Sequence, residues 1–202
     1  MRSVIGGVNM ETGVGNDCRF CTNMIFDVTN VKFKVSFTRS IHINLFSELV
    51  LVNCYRHTKV IHYNNYCYTV FNERFDIIHI TGCKCMCLIN NAIQCLRIIN
   101  ENDGDEMNVE NIKIDSISVK FNVRTCVKNK LASSNKGICR KFVIRHPLQF
   151  PGTIIRLRSS NASVTIFNTG KAIGCGFRRY GQIVNFVLEI HKLINDVMMA
   201  DK

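Results

Sequence analysis

Between Asn30 and Phe37 the chain reads N-V-K-F-K-V-S-F, an unbroken alternation of polar and apolar residues. A period of two sets Val31, Phe33, Val35 and Phe37 on one face of a strand and Asn30, Lys32, Lys34 and Ser36 on the other. Such a strand needs an apolar layer against one face and partners at its edges, which confines the chain to a sheet covered on one side. Residues 59–89 continue in short alternating or apolar pieces, broken at Asn64-Asn65, at Asn72-Glu73-Arg74 and at Thr81-Gly82, the pattern of an antiparallel meander. The period changes to 3.6 in two places. Asn90 to Ile99 turns Ile93, Leu96 and Ile99 inward and Arg97 outward, and a later stripe joins Ile183, Phe186, Val187, Ile190, Leu193 and Ile194. Asn44 reads as the N-cap of a further short helix carrying Leu45, Leu49 and Val52.

At 202 residues and 47% hydrophobic, the chain can bury a core for one substantial domain or two small units sharing a sheet. Its net charge of +11 and pI near 9.3 call for a polyanionic partner. No stretch reaches the roughly 18 to 20 consecutive apolar residues of a spanning helix, and the start MRSVIGGVNMETG lacks the apolar core of a signal peptide. The expectation is an intracellular protein with no membrane partner. Eleven cysteines are an odd number in a chain of this length, so most are expected as reduced, buried small hydrophobes. Cys18-Arg19-Phe20-Cys21 supplies half of a zinc site, and the C-x-C-x-C run Cys83, Cys85, Cys87, read as strand, would space its thiols too widely for one ion. No metal or other cofactor is expected. Phosphate-binding glycine loops, nucleophile elbows and H-E-x-x-H are absent, so an enzyme is not expected.

Two phenylalanines stand beside turns, Phe150 in Gln149-Phe150-Pro151-Gly152 and Phe167 in Ile166-Phe167-Asn168-Thr169-Gly170-Lys171. A ring held where a strand meets a tight connection can project from the sheet, and apolar wedges of this kind unstack base steps in a minor groove.

From Phe150 to Ile194 the sequence resembles the second half of the TATA-box-binding protein core, through F-P-G-x-I-x-R, I-F-x-[ST]-G-K and the closing amphipathic helix. Val109-Glu110-Asn111-Ile112 with Val119-Lys120-Phe121, and Val28-Thr29-Asn30-Val31 with Ile43-Asn44-Leu45, are similar to the opening segments of that family's two repeats, so the likeness spans about residues 25 to 195. The resemblance implies an α+β saddle of two pseudo-symmetric repeats, with a curved antiparallel sheet and helices on its convex side. A mobile tail at residues 1–24, a first repeat at 25–100, an acidic linker at 101–108 and a second repeat at 109–202 follow. Asn30 and Asn111 lie 81 apart and Gly82 and Gly170 lie 88 apart, so the second repeat carries a loop insertion between Asn111 and Phe150. In this register His62 and His79 take the places of Phe150 and Phe167, and the first repeat lacks the phenylalanine pair.

The resemblance further implies that Asn30 and Asn111 donate to minor-groove base edges near the pseudo-dyad. Lys32, Lys34 and Lys113 stand beside them, where the family carries small apolar residues. Arg156 and Lys171 match backbone-contacting positions, with Arg158 beside them flanking the aromatic pair; Thr165, Ile173 and Cys175 match the groove floor. The expected function is a transcription-initiation factor that binds and bends duplex DNA through the minor groove and engages an initiation factor or RNA polymerase, in a nucleus or at a viral replication site in the cytoplasm. The abundance of asparagine, isoleucine and cysteine suggests a fast-diverging, viral or parasite version. Two alternatives are a saddle-fold protein-interaction scaffold without specific DNA binding and an RNA- or hybrid-binding module.

Overall fold

The structure, a computed structural model, describes residues 25–38, 51–55, 57–71, 74–99, 108–123 and 141–199. The expected tail with Cys18 and Cys21, the helix after Asn44 as far as residue 50, residues 101–107 of the acidic linker and residues 124–140 of the loop insertion lie outside them; Val52, placed on that helix's stripe, stands in a strand instead.

The alternating segment forms β1 (Asp27–Phe37), with Val31, Phe33, Val35 and Phe37 all buried, as its period requires. Four strands follow: β2 (Leu51–Tyr55), β3 (Thr58–Tyr63), β4 (Tyr66–Phe71) and β5 (Arg74–Cys83). Asn64 and Asn65 make the β3–β4 turn with φ of 48° and 66°, a conformation that asparagine tolerates better than most residues. Helix α1 (Ile89–Ile99) buries Ile93, Leu96 and Ile99 and exposes Arg97, as its stripe predicts. The order then recurs: β6 (Val109–Asn122), β7 (Phe142–Arg145), β8 (Gly152–Leu157), β9 (Ser163–Phe167), β10 (Lys171–Phe177) and α2 (Tyr180–Met199).

All ten strands form one sheet in the order β2-β3-β4-β5-β1-β6-β10-β9-β8-β7, every pairing antiparallel. Read outward from the central β1–β6 pair, each half follows the same succession. The helices cover one face. In the first half the Tyr68 hydroxyl donates to the Ala92 carbonyl of α1 at 2.9 Å; in the second, Phe142 and Phe177 meet Phe186 of α2 at centroid distances of 5.9 and 5.5 Å. Tyr68, Phe33 and Phe177 are wholly buried in a core shared by both halves. Truncating such an aromatic to alanine would cost about 3 to 5 kcal/mol.

The cysteine run departs from its strand reading. Gly82 takes φ of +101°, β5 stops at Cys83, and Cys85 caps a 3-10 turn at Met86–Leu88 with its sulfur bonded to that of Cys87. Of the free described cysteines, Cys83 and Cys95 are buried, Cys67 is half-buried, and Cys54 and Cys175 are exposed, so the expectation of mostly buried thiols fails for this set, although all five are reduced. Burial, with Cys95 beside it, pushes the Cys83 thiol up to about 12, which keeps it protonated and inert.

Candidate nucleic-acid interface

Because side chains alternate across a strand, the face away from the helices collects the residues that β1, β4, β5, β6, β8, β9 and β10 do not bury. Cross-strand partners share a face, so the pairing register reads this open face row by row. One row crosses the second half: Thr165 of β9 opposite Ile173 of β10, Ile173 opposite Lys120 of β6, and Lys120 opposite Asp27 of β1. The corresponding row of the first half runs Thr69 of β4, His79 of β5, Lys34 of β1 and Lys113 of β6.

Two backbone bonds fix how the halves correspond. Asn30 Oδ1 accepts the Gly82 N–H at 2.9 Å, and Ser116 Oγ accepts the Gly176 N–H at 3.1 Å. Both glycines have positive φ, +101° and +84°, and a Cβ on either would strike the carbonyl of an asparagine in the adjoining turn, Asn65 or Asn161. Asn30 therefore corresponds to Ser116, and Gly82 to Gly176. The expected pairing of Asn30 with Asn111 is wrong: Asn111 lies opposite Ser36, far along β6, while Asn30 lies opposite Ser118. The correspondence of Gly82 with Gly170 fails too, because Gly170 sits at the β9–β10 turn against the Val123 carbonyl.

This register moves both histidines. His62, exposed on β3 and paired with Cys67, takes the place of Arg156, which pairs with Ser163. His79 takes the place of Ile173 on the row, not that of Phe167. The counterpart of Phe167 is Phe71, 42% exposed at the end of β4, so the first half does keep one of the aromatics. The signal was present in sequence, as Thr69-Val70-Phe71-Asn72 against Thr165-Ile166-Phe167-Asn168. The Thr81-Gly82 match hid it because 10 positions separate the paired Thr69 and His79 and only 8 the paired Thr165 and Ile173.

The aromatic pair itself comes together. Phe150 and Phe167 rings lie 6.0 Å apart, tilted by 54°, with Phe150 37% exposed. Gly152 makes room: a Cβ there would stand 2.9 Å from Phe150 Cε1 and 2.7 Å from Thr165 Cγ2. The turn is tied by the Phe150 N–H to the Pro147 carbonyl at 3.2 Å and by His146 Nδ1 to the buried Thr153 hydroxyl at 3.0 Å.

The basic residues divide. Lys171 and Lys120 line a cavity of about 570 Å³ with Phe167 and Ile173, beside the aromatic pair. Arg156 and Arg158 do not flank that pair; with Arg145 and Arg178 they ring a second cavity of about 610 Å³ that includes Asn161 and has no carboxylate in its lining. Arg156 donates to Asn161 Oδ1 at 3.1 Å. Thr165, Ile173 and Cys175 share the open face with Lys171, Ile173 and Cys175 exposed and Thr165 half-buried. Lys32, exposed, pairs with Ser116 near the sheet centre.

One carboxylate sits beside the lysines of the first-half row. The β1–β6 register breaks between Lys32↔Ser116 and Phe33↔Ile114, which leaves Asp115 as an extra residue. Its Oδ2 reaches over β1 to within 3.4 Å of His79 Nδ1. Burial lowers the His79 pKa from its ordinary value; Asp115 opposes this, and Lys32 and Lys34 add to it. The Phe71 ring stands edge-on to the imidazole at 5.3 Å. Among the described residues there is no cluster of three metal-ligating side chains, and no helix is long and apolar enough to cross a membrane.

The ten-stranded open antiparallel sheet covered on one face by two helices is similar in fold to Methanococcus jannaschii TBP, on which the chain superposes with a TM-score of 0.68, covering 85% of this chain and 98% of that one at 20% identity. Residues 111–197 match the family described as transcription factor TFIID, or TATA-binding protein. No curated protein has a matching sequence.

Proposed function

We propose that this chain is a TATA-binding-protein-like factor whose two halves act as repeats of one saddle, laying the open face of the sheet on the minor groove of duplex DNA and bending it. The carrying observation is the Phe150–Phe167 ring pair, held at one end of a lysine-bearing open face by a turn that Gly152 makes possible. Wedges at a sheet end unstack a base step for about a few kcal/mol and gain a wrapped duplex in return. On this reading Phe71 is the matching wedge of the first half. Lys34, Lys113, Lys120 and Lys171 follow the phosphates, with Arg156 and His62 at equivalent outer positions.

Asn30 spends its oxygen on Gly82 and so turns its amide N–H groups toward base-edge acceptors, a role that Ser116 fills across the dyad. Engagement of the transcription machinery falls to the second-half edge, where Arg145 and its neighbours present positive charge to an acidic docking surface. The test is a titration against TATA-bearing duplex, scrambled duplex and DNA–RNA hybrid at two salt concentrations, with dyes on the duplex ends. Tighter binding of one duplex, loss of affinity with salt and a shortened end-to-end distance support the reading. Binding without any duplex preference or shortening would assign the fold to protein scaffolding instead.

A further inference from the structure

The two halves place different chemistry at one corresponding point of the open face, and this deepens the proposed function, on which it rests. In the second half the point is Ile173, 50% exposed and flanked by Thr165 and Lys120. In the first half it is His79, flanked by Thr69 and Lys34 and joined over β1 by Asp115 from the bulge of β6. The pair is about as open as a floor should be: side-chain exposures are 27% and 28%.

A carboxylate only accepts hydrogen bonds, so the neutral imidazole facing it carries its proton on Nδ1 and leaves Nε2 as an acceptor. No described residue bonds Nε2. The first half therefore shows two acceptors, His79 Nε2 and the second Asp115 oxygen, with Lys32 and Lys34 of β1 near enough to act on His79 electrostatically and the Phe71 ring at one side.

The minor-groove edge of A·T offers only acceptors, and so meets this pair with lone pair against lone pair. G·C alone adds a donor, the guanine 2-amino group. We propose that His79 and Asp115 form an acceptor site for that amino group, so that the chain prefers a duplex with G·C under its first half and A·T under its second. Ile173 supplies the other side of the discrimination: an apolar side chain has no acceptor for the amino group and occupies the space into which it would project. The two lysines offset the cost of bringing a carboxylate toward the groove. A preference of this kind gives a nearly two-fold-symmetric sheet a direction on the DNA.

Base analogues test this on the unaltered protein, because inosine removes only the 2-amino group of guanine and diaminopurine adds it to adenine. Short duplexes carry G·C, inosine·C, A·T or diaminopurine·T at one position at a time. The expected result is that, at one end of the footprint, the two pairs bearing the amino group bind about tenfold tighter than the two without it, with the order reversed at the other end. His79→Ile, which copies the second half, should remove the first preference and keep the second, with an unchanged melting temperature as the folding control. Duplex binding in which inosine·C equals or exceeds G·C at every position overturns this inference and leaves the minor-groove reading intact. Failure to bind any duplex overturns both.

Discussion

The row Thr165–Ile173–Lys120–Asp27 and the row Thr69–His79–Lys34–Lys113 occupy the same place in their halves of the sheet and carry opposite electrostatic designs. In the first of these the lysine is matched: Lys120 Nζ lies 3.5 Å from Asp27 Oδ2. In the second, Lys34 stands directly across from Lys113, and like charges so placed destabilise a sheet. The Asp27–Lys120 pair is exposed and worth little by itself, so the lesson is one of partners rather than of fold energy. One row matches its lysine with a carboxylate beside the apolar Ile173; the other leaves its charge open, which a phosphate backbone would relieve. Aromatics follow the same division, with a tilted ring pair at Phe150 and Phe167 against Phe71, whose neighbour in the ring contact is His79.

The largest effect expected of this asymmetry is at the wedges. Phe150→Ala with Phe167→Ala should weaken duplex binding by about 1 to 3 kcal/mol per lost stack and remove most of the bend, whereas Phe71→Ala should do about half as much. Electrophoretic bending and calorimetric melting check this together. A fall in stability of about 3 to 5 kcal/mol, as for a buried phenylalanine, would mean that the rings belong to the core.

A smaller effect is expected when the first row is made to copy the second. Lys113→Asp places a carboxylate opposite Lys34; it should raise the stability of the free protein by about 0.2 to 1 kcal/mol, weaken duplex binding, and lower the salt slope by about one unit. If binding and slope both stay as they were, Lys113 lies off the phosphate path.

The smallest is a pH effect at His79. Its folded pKa is lowered by burial first and by Lys32 and Lys34 in addition, so as pH falls through the ordinary 6.5 the unfolded chain takes up the proton before the folded one does. Stability should therefore decline from about pH 6.5 down to the lowered folded value and level off below it. His79→Ile should flatten that part of the profile, read by denaturant titration across the range.

Much of this arrangement could be read from the residues. The strict alternation of β1 and the stripes of α1 and α2 are local patterns, and each element formed where its period placed it. Phe150 and Phe167 met because both flank turns on neighbouring strands. What failed was the register between halves. A conspicuous Thr-Gly was matched to the wrong turn, because extra residues between Thr69 and His79 and at the Asp115 bulge shift the count, and only hydrogen bonding across the sheet corrects it. Asp115 reaching over a strand to His79, and four arginines from β7, β8, the β8–β9 turn and the β10–α2 connection closing around one cavity, are long-range meetings that no periodicity signals.

The central claim is that the open face lies in a minor groove and bends it unequally. Fluorescent base analogues placed step by step along a bound duplex report unstacking directly. The account predicts two unstacked steps, the stronger abolished by Phe167→Ala and the weaker by Phe71→Ala. A bound duplex whose steps stay stacked along its whole length would contradict it.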